Sequence, residues 1–508
     1  MGRYRSIKAG LLLLALATPV LPAAHAAIVV NLVPAPIAPG IKVGLKFFGQ
    51  APESRASTAD PFRTRVQSLQ SVPDGSGRVF VHDTRGIISV LGAKGGTPQP
   101  WFDIHSAVTG FSNATSASQT GLMSFAFHPN FAGNPANPGY GVFYTIDTSA
   151  PTGNATLIGK GPAIDHDNIV HEFRVADPAA ATAVIVAQRE VLRIAQPRSD
   201  HGPGTIAFNP GADPGSADYG KLYIGLGDGG GVGDPSGNAQ DLASPFGKIL
   251  RIDPALAGNG AAYSVPADNP HVGEVGALGE IWASGLRNPQ HFSWDAASGE
   301  MLITDIGQSQ LEEINIGRAG GNYGWPLREG TLARGTSTDP NVYDTPANDG
   351  SFVDPVAQFD HEEIFRSGVY NLAAVSGAFA YNGSALPELF GKVIVSELVS
   401  GRMFYYDPAL AGAEPAPLFE LGLRMGGGDV TLSALDGNIR QRGRVDLRLG
   451  TAADNEIYLF SKTMGNIYRL DSLAAVPDAA SWVLLILGFG LVGTALRVRQ
   501  ERPLRTSS

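Results

Sequence analysis

The chain contains no cysteine among its 508 residues. Disulfide bonds, zinc–thiolate sites and thiol nucleophiles are therefore excluded. Charged residues are also scarce, at 17% of the total, and the formal net charge is −10. A protein that binds nucleic acid through its phosphates needs a basic face, so we do not expect nucleic acid as a partner.

Long amphipathic helical patterns are missing from the central part of the chain, whereas glycine (64 residues) and proline (36 residues) are abundant. What recurs instead is a short alternating apolar run, a polar or glycine-rich turn and a second run. Six such hairpins begin at Gly77, Gly141, Gly220, Gly299, Gly391 and Asn455. This recurrence predicts an all-β fold, a six-bladed β-propeller, with two β-sandwich domains as the alternative.

The first 26 residues have the layout of a secretory signal peptide. Three basic residues precede an apolar stretch, and Ala24-His25-Ala26 ends it with two small alanines in an Ala-x-Ala arrangement, which predicts cleavage after Ala26. A buried helix is the alternative. We assign residues 27–59 to an N-terminal segment or linker and residues 60–472 to the propeller.

The other end, residues 476–505, combines an uncharged apolar stretch with a following group of arginines. It resembles the PEP-CTERM sorting signal of Gram-negative bacteria. The resemblance implies export, a C-terminal transmembrane helix that anchors the protein in the inner membrane for a time, and removal by a processing protease. A plain C-terminal membrane anchor is the alternative.

Three stretches of the propeller region carry residues suited to chemistry. In "DHGPG", His201 follows Asp200 and precedes a strand; a neutral imidazole is a natural proton acceptor that an adjacent carboxylate can orient. In "GLRNPQ", the planar guanidinium group of Arg287 carries several N–H donors, and the side-chain amides of Asn288 and Gln290 add uncharged donors. Both stretches read equally well as ordinary polar loops.

The third stretch, "DIGQSQLEEINIGRAGGNYGWP", places Glu312 and Glu313 after a polar loop. Calcium prefers carboxylate and backbone oxygens, so a glutamate with loop carbonyls predicts a calcium site. A solvated acidic pair is the alternative. The aspartate-rich stretch 227–241 does not have the spacing of an EF-hand loop, and we interpret it mainly as a turn.

Eight motifs occur in an order that resembles the soluble glucose/sorbosone dehydrogenases, quinoproteins that use pyrroloquinoline quinone (PQQ). They are "QTGLMSFAFHPNF" (119–131), "DHGPG" (200–204), "KLYIGLGDGG" (221–230), "FGKILRIDP" (246–254), "GLRNPQ" (285–290), "EEINIGRAGGNYGWP" (312–326), "GKVIVSELVSGRMFYYD" (391–407) and "EIYLFSKTMGNIYRL" (456–470). The resemblance covers most of residues 60–471. It implies a six-bladed propeller that binds PQQ and calcium at one end and oxidises an aldose to its lactone.

The resemblance also implies roles for individual residues. His201 would take the proton from the anomeric hydroxyl, Asp200 would orient it, and Arg287 would stabilise charge on the quinone. The implied PQQ contacts are Gln119, Arg287, Asn288, Gln290 and the arginines Arg442, Arg444 and Arg448. The implied calcium ligands are Gly307, Gln308, Glu312, Glu313 and Tyr323.

The chain departs from the family pattern at several positions. Pro203 replaces a glycine after the histidine, and Val399-Ser400 stands where the family has a cofactor-contacting lysine. Ser124 and Asn382 also differ from the common residues. Two other functions therefore stay open: a non-catalytic propeller that binds polysaccharide or protein, and a calcium-dependent lactonase. The expected partners of the dehydrogenase are a sugar and an unidentified electron acceptor.

Overall fold

The computed structural model describes residues 37–112, 119–335, 339, 341–344, 350–361, 373–412, 414–436 and 444–473. The predicted signal peptide (1–26) and sorting segment (476–505) lie outside these ranges. Within them, no helix combines the length and the apolar character needed to cross a membrane.

The strands form the six blades of a β-propeller, and the first described strand, β1 (Ala38–Gln50), belongs to the last blade. Hydrogen bonds between blades five, six and one join these three blades into one continuous 13-stranded sheet. Blade one contains β2 (Val66–Ser71), β3 (Val79–Asp83), β4 (Ile87–Gly92) and β5 (Gly95–Asp103). Blade two contains β6 (Leu122–Phe127), β7 (Val142–Ser149), β9 (His166–Val175) and β10 (Ile185–Gln196), with the short β8 (Leu157–Ile158) beside β10. Blade three contains β11 (Pro203–Phe208), β12 (Leu222–Leu226), β13 (Lys248–Ile252) and β14 (Ile281–Ser284).

Blade four contains β15 (His291–Trp294), β16 (Met301–Asp305), β17 (Leu311–Ile316) and β21 (Ala357–Asp360). A small sheet of β18 (Arg328–Glu329), β19 (Leu332–Arg334) and β20 (Val342–Tyr343) lies between β17 and β21 in sequence. Blade five contains β22 (Val375–Ala380), β23 (Val393–Glu397), β24 (Met403–Tyr406) and β25 (Phe419–Met425), with β26 (Gly428–Val430) at its edge. Blade six contains β27 (Leu447–Thr451), β28 (Ile457–Ser461), β29 (Asn466–Asp471) and β1. The described helical segments are short: Ile104–Ser106, Pro387–Leu389, Pro408–Leu410 and Leu432–Asp436.

Strand β1 closes the ring. It pairs antiparallel with β29, from Gly44 opposite Asp471 to Gln50 opposite Asn466, and parallel with β25 of the neighbouring blade. The structure thus places part of the predicted 27–59 linker inside the propeller. Val43 and Leu45 are buried while Lys42 and Lys46 are exposed, the alternation of a strand with one face on the core.

The six hairpins predicted from the sequence are the middle strands of the six blades. The inner strands are β2, β6, β11, β15, β22 and β27, which contact one another in circular order around a cavity of about 240 Å³. Between blades the core is apolar and rich in aromatic rings; Phe80 of blade one, for example, packs edge-on against Phe127 of blade two.

The connections divide between the two ends of the propeller. Loops that lead into the inner strands, and turns that join second and third strands, lie at the same end because neighbouring strands of a blade are antiparallel. His201, Arg287 and Gln119 precede inner strands, and Asp228 follows a second strand. The fold therefore gathers these residues at one end.

Candidate functional site

His201 and Asp228 form a buried hydrogen-bonded pair at this end. The His201 Nδ1–H donates to Asp228 Oδ1 over 2.7 Å, and the two residues are 7% and 1% exposed. This bond leaves Nε2 as the nitrogen with the lone pair, which is the arrangement a general base needs. His201 also has a φ of 51°, a left-handed conformation that is uncommon for a residue with a side chain and frequent at functional sites.

The predicted orienting role of Asp200 is wrong. Asp200 is exposed, and its Oδ2 accepts from the Gly231 N–H at 3.4 Å. The chain turns at His201, whose φ is 51°, so Asp200 faces Gly231 while His201 faces Asp228, and adjacency did not bring the two side chains together. The partner instead comes from the 227–241 stretch that the sequence suggested was mainly a turn.

Asp228 is itself held by several donors. Trp325 Nε1 donates to Oδ2 at 2.9 Å, and the Gly230 N–H donates to Oδ1 at 2.9 Å. Burial acts to raise the pKa of Asp228, but His201, Arg287 and the hydrogen bond from the Gly230 N–H hold that pKa below its ordinary value. The carboxylate therefore stays ionised and fixes the imidazole ring.

Lys248 organises the loop that follows Asp228. Its side chain is 0% exposed, and its ammonium donates to the carbonyls of Asn238, Ala239 and Phe246 at 2.7, 2.9 and 2.8 Å. Burial lowers the pKa of Lys248 to about 7. All three ammonium protons are used, so the loop that carries Asp228 is tied to the first residue of β13.

Arg287 and Asn288 are anchored by a buried carboxylate. Asp305 accepts from the Arg287 N–H at 2.8 Å and the Asn288 N–H at 2.6 Å. The Arg287 guanidinium donates through one nitrogen to the carbonyls of Ile306 and Gly307, while its buried Nε has no partner among the described residues. The backbone of Arg287 is therefore fixed, whereas the Nε–H of its guanidinium group keeps its capacity to donate a hydrogen bond.

Gln119 and Gln290 extend this polar wall toward His201. Gln119 Oε1 accepts from the Gly202 N–H at 3.0 Å and from Gln290 Nε2 at 3.3 Å, and Gln290 Nε2 also donates to Asn288 Oδ1 at 2.9 Å. The side-chain nitrogens of Gln119 and Asn288 make no hydrogen bond within the described part of the chain. The structure therefore brings four predicted residues together with His201 and leaves amide donors for a ligand.

The predicted calcium ligands are not gathered into one side-chain site. Glu312 is fully buried, accepts from His361 Nε2 at 2.7 Å and from the Val375 N–H at 2.8 Å, and has its pKa raised by burial. The Tyr323 hydroxyl donates to the Ile316 carbonyl at 2.7 Å. The side chain of Gln308 accepts from the Gly233 N–H at 2.9 Å. Each of these groups has a structural partner of its own.

Glu313 lies opposite Asp305 in the β16–β17 register. It accepts from the Gly330 N–H at 2.5 Å and from Asn315 Nδ2 at 3.1 Å. Burial raises the pKa of both carboxyl groups, and Asp305 raises that of Glu313 further. A cation near this pair would be stabilised, yet no group of three or more His, Asp or Glu residues able to hold a metal occurs in the described ranges.

The loop containing Gly307 is shaped by Glu329, a residue that none of the sequence motifs indicated. One oxygen of Glu329 accepts the backbone N–H groups of four consecutive residues, 308–311, at 2.8–3.2 Å. A Cβ on Gly307 would lie 1.6 Å from the Leu311 carbonyl oxygen, so only glycine fits there. The loop is rigid and its Gly307 carbonyl already accepts from Arg287.

The two departures nearest the site have structural explanations. Pro203 is the first residue of β11, where it pairs with Leu226. At Val399 and Ser400, where the resemblance predicts a lysine, buried Glu397 accepts the N–H groups of both residues at 2.7 and 2.6 Å. Blade five therefore has a turn capped by a carboxylate at this point.

The predicted arginine group is only partly described, because Arg442 lies outside the described residues. Arg444 and Arg448 each bind Asp446 at 3.1 Å. Arg444 is nearly half exposed, whereas Arg448 is buried and lines the axial cavity. The pair lies in blade six, where the chain enters inner strand β27.

The fold and the site define a β-propeller with a buried histidine–carboxylate pair and a polar wall at one end. Residues 64–413 match the family model of Glucose / Sorbosone dehydrogenase. The chain belongs to this family, as its motifs predicted.

Its curated relatives include plant and bacterial proteins. It is 28% identical to the HIPL1 protein of Arabidopsis thaliana over 64% of this chain and 50% of the relative. It is 28% identical to aldose sugar dehydrogenase YliI of Escherichia coli over 54% of this chain and 65% of the relative. The chain thus spans about half to two thirds of the length of these relatives.

The fold matches solved structures as well. The PQQ-bound aldose sugar dehydrogenase from Streptomyces coelicolor superposes with a TM-score of 0.52 and 22% sequence identity, over 85% of this chain and 99% of that one. The likeness supports the propeller assignment.

Proposed function

We propose that this protein is a sugar dehydrogenase that oxidises an aldose to its lactone with PQQ as the bound electron acceptor. The observation that carries the proposal is the His201–Asp228 pair, which leaves an imidazole lone pair beside a wall of amide and guanidinium donors. Family membership and the named activity of the relative from Escherichia coli support it.

PQQ carries quinone oxygens and three carboxylates, so its site must be rich in donors. The Arg287 Nε lacks a protein acceptor among the described residues, which suits such a ligand. Gln119, Arg287, Asn288 and Gln290 would hold the quinone end. Arg444 and Arg448, with Arg442 as predicted, would meet the carboxylates.

When bound, PQQ would supply a two-electron acceptor for the hydride equivalent of the sugar's anomeric carbon. The chain's own contribution is proton removal and positioning. His201 Nε2 takes the proton of the anomeric hydroxyl, and the resulting imidazolium is stabilised by Asp228 at 2.7 Å. Arg287 places positive charge beside the reacting oxygens.

Calcium is proposed only in a backbone-held form. The Gly307 and Gln308 carbonyls lie in the loop fixed by Glu329, and the buried Asp305–Glu313 pair lies nearby. The side chains of Glu312 and Tyr323 are engaged elsewhere, so we assign them no role in metal binding. Removal of calcium should weaken PQQ binding without unfolding the protein, which a chelator titration followed by circular dichroism would test.

The main experiment adds PQQ and calcium to the purified protein. We expect a bound-quinone absorption spectrum and reduction of a dye when aldoses are supplied. The His201→Gln variant should still bind PQQ but lose dye reduction. No PQQ binding at micromolar concentration would contradict the proposal.

A second candidate is a propeller that binds polysaccharide or a partner protein without catalysis. It is favoured by the capped turn at Val399 and Ser400, which replaces the family's lysine with a Glu397-centred structure. Under this alternative, PQQ would fail to bind while a glycan array or pull-down would give a specific ligand. The lactonase alternative needs metal-holding side chains, and the described residues contain no suitable group.

We further propose that the protein is exported, on the basis of the signal-like residues 1–26 and the sorting-like residues 476–505. Its electron acceptor would then be a component outside the cytoplasm. Mass spectrometry of the mature protein from an expressing Gram-negative host would locate both ends and test both predicted cleavages.

A further inference from the structure

The long connection between β17 and β21 returns to the end of the propeller that carries the polar wall. Asn322 forms an isolated β-bridge with Ser284, where the last strand of blade three ends, and Trp325 follows three residues later. The small sheet β18–β20 comes next along the chain. This connection therefore places two more charged side chains near the site, those of Glu329 in β18 and Arg334 in β19.

Arg334 and Glu329 form a buried ion pair. Their side chains are each 1% exposed, and Arg334 Nε lies 3.2 Å from Glu329 Oε2. Burial lowers the pKa of Arg334, and Glu329 opposes this shift. Loss of one partner would leave the other charge buried and uncompensated, which is costly. The two side chains are therefore held in one arrangement.

On one side, this ion pair reaches the loop that orients Arg287. The second oxygen of Glu329, Oε1, accepts the backbone N–H groups of residues 308–311. These residues directly follow the carbonyls of Ile306 and Gly307, to which the Arg287 guanidinium donates at 2.9 and 2.8 Å. Glu329 thus fixes the acceptors that hold the guanidinium in place.

On the other side, the ion pair reaches the histidine–carboxylate pair. The guanidinium carbon of Arg334 lies 4.4 Å from the centre of the Trp325 ring, a cation–π contact. The indole Nε1–H donates to Asp228 Oδ2 at 2.9 Å, and Asp228 Oδ1 accepts from His201. A guanidinium over the ring restricts the tilt of the indole, and the tilt decides where its N–H points.

Hydrogen bonding does not account for the burial of Arg334. Its Nε and Nη1 atoms are buried and make no hydrogen bond in the described part of the chain. A buried arginine that only stabilised the small sheet would be expected to use these donors. The contacts that Arg334 does make are one carboxylate and one aromatic ring, and each of them leads to a different residue of the site.

We propose that Arg334 is a positioning residue that holds the Trp325 indole against Asp228. Through Glu329, the same residue ties the indole to the loop that orients Arg287. One buried ion pair thus sets the general base and the arginine of the polar wall relative to each other. The inference rests on the proposed function where it concerns turnover, whereas the placement of the indole is independent of that function.

The first test observes Trp325 directly and needs neither PQQ nor turnover. The full protein labelled with ¹⁵N-tryptophan gives few indole N–H signals, because the chain has only five tryptophans, and Trp325→Phe identifies the signal of Trp325. In Arg334→Met we expect this signal to move upfield in the proton dimension. Its hydrogen exchange should quicken about tenfold, because the bond to the charged Asp228 is loosened.

Arg328→Met is the matched control. Arg328 belongs to the same small sheet, but its guanidinium carbon lies over another ring, 5.4 Å from the centre of Phe352. The Trp325 signal should be the same in this variant as in the unchanged protein. An equal shift in the control would overturn the proposal, because it would indicate a general loosening of the small sheet.

Arg334→Lys keeps the test decisive if Arg334→Met does not fold. The lysine retains a positive charge beside Glu329 but lacks the planar group that lies over the ring. We therefore expect a folded protein in which the Trp325 signal is still displaced. A Trp325 signal that stays in place in this variant would overturn the proposal.

The second test is a double-mutant cycle on turnover. Arg334→Met and Trp325→Phe should each lower kcat about fivefold with little change in KM, the value of one hydrogen bond. Because Arg334 acts through Trp325, the double variant should also lose about fivefold and not about 25-fold. Multiplied losses would overturn the proposal. If the indole signal shifts as expected but the unchanged protein oxidises no aldose, the proposed function fails and the positioning of Trp325 by Arg334 stands.

Discussion

Two lysines in the same propeller have opposite surroundings. Lys248, in blade three, donates to three backbone carbonyls and lies near Asp234, Asp241 and Asp228. Lys462, in blade six, donates to one glutamine side chain and lies among arginines. Burial lowers the pKa of both, so burial alone does not distinguish them.

The difference separates two kinds of polar region. Around Lys248 and His201, donors and acceptors are matched, and the result is a fixed geometry. Around Lys462, the described charged neighbours are Asp446 and three arginines, and the arginines add to the lowering of the Lys462 pKa that burial causes. Matched groups suit the positioning of a catalytic base, whereas the like charges around Lys462 repel one another.

The largest expected effect is the loss of turnover when His201 is replaced, in the region where donors and acceptors are matched. His201→Gln should lower turnover by about 10³-fold, because it removes a general base. Steady-state kinetics with a saturating aldose, PQQ and a dye would measure it. The melting temperature should stay close to that of the unchanged protein; a large drop would mean that His201 is mainly structural.

The two lysines can be compared directly by substitution. Lys248→Met should lower the free energy of unfolding by about 3 kcal/mol, because buried carbonyls lose their donor. Lys462→Met should leave it unchanged or raise it by about 1 kcal/mol, because like charges are relieved. Urea denaturation of both variants would measure these values, and equal destabilisation would remove the distinction between the two regions.

Acid should weaken the fold through buried histidines. Burial lowers the pKa of His82 and of His291 to about 3, and Arg448 contributes for His291. Because these folded-state values lie below the ordinary value of 6.5, their contribution is complete above pH 6.5 and is lost as the pH falls toward 3. Between pH 7 and 5.5 the two histidines should remove about 2 kcal/mol of unfolding free energy.

Urea denaturation at a series of pH values would measure how steeply the free energy of unfolding changes with pH. His82→Gln should reduce it, whereas substitution of the half-exposed His105 provides a control. A slope that persists unchanged in His82→Gln would show that other groups cause the acid sensitivity.

The smallest expected effect concerns Trp325. Trp325→Phe removes the N–H donor to Asp228 and keeps an aromatic ring beside Arg334, which lies 4.4 Å from the indole centre. We expect about a fivefold loss of kcat/KM, the value of one hydrogen bond, with little change in KM. An unchanged pH–rate profile and rate would show that Asp228 is fixed without the indole.

The parts of the fold that the sequence predicted are those with local signals. The hairpins alternate and turn at glycines such as Gly86, so the middle strands of each blade were predictable. Strand β1 was missed because nothing local indicates its partners, which are more than 370 residues away in β25 and β29. Closure of the ring of blades therefore depends on contacts between residues that are far apart in the sequence.

The same distinction applies to the site. His201, Arg287 and Asn288 stand in recognisable motifs, and the fold brings them together with Gln119. Asp228 was missed because adjacency favoured Asp200, although the "GLGDGG" turn directly after a strand was a usable signal. Lys462 and Arg65 are close only because blades six and one meet.

That meeting closes the ring. The junction between blades six and one contains the ladder pairs Gln70–Thr451 and Gly49–Gly96, and the first of these joins residues that lie far apart in the sequence. Closing so long a loop costs entropy before any contact compensates for it. Because β1 pairs with both β25 and β29, we expect a chain that begins after Gln50 to expose both strand edges and to associate through them.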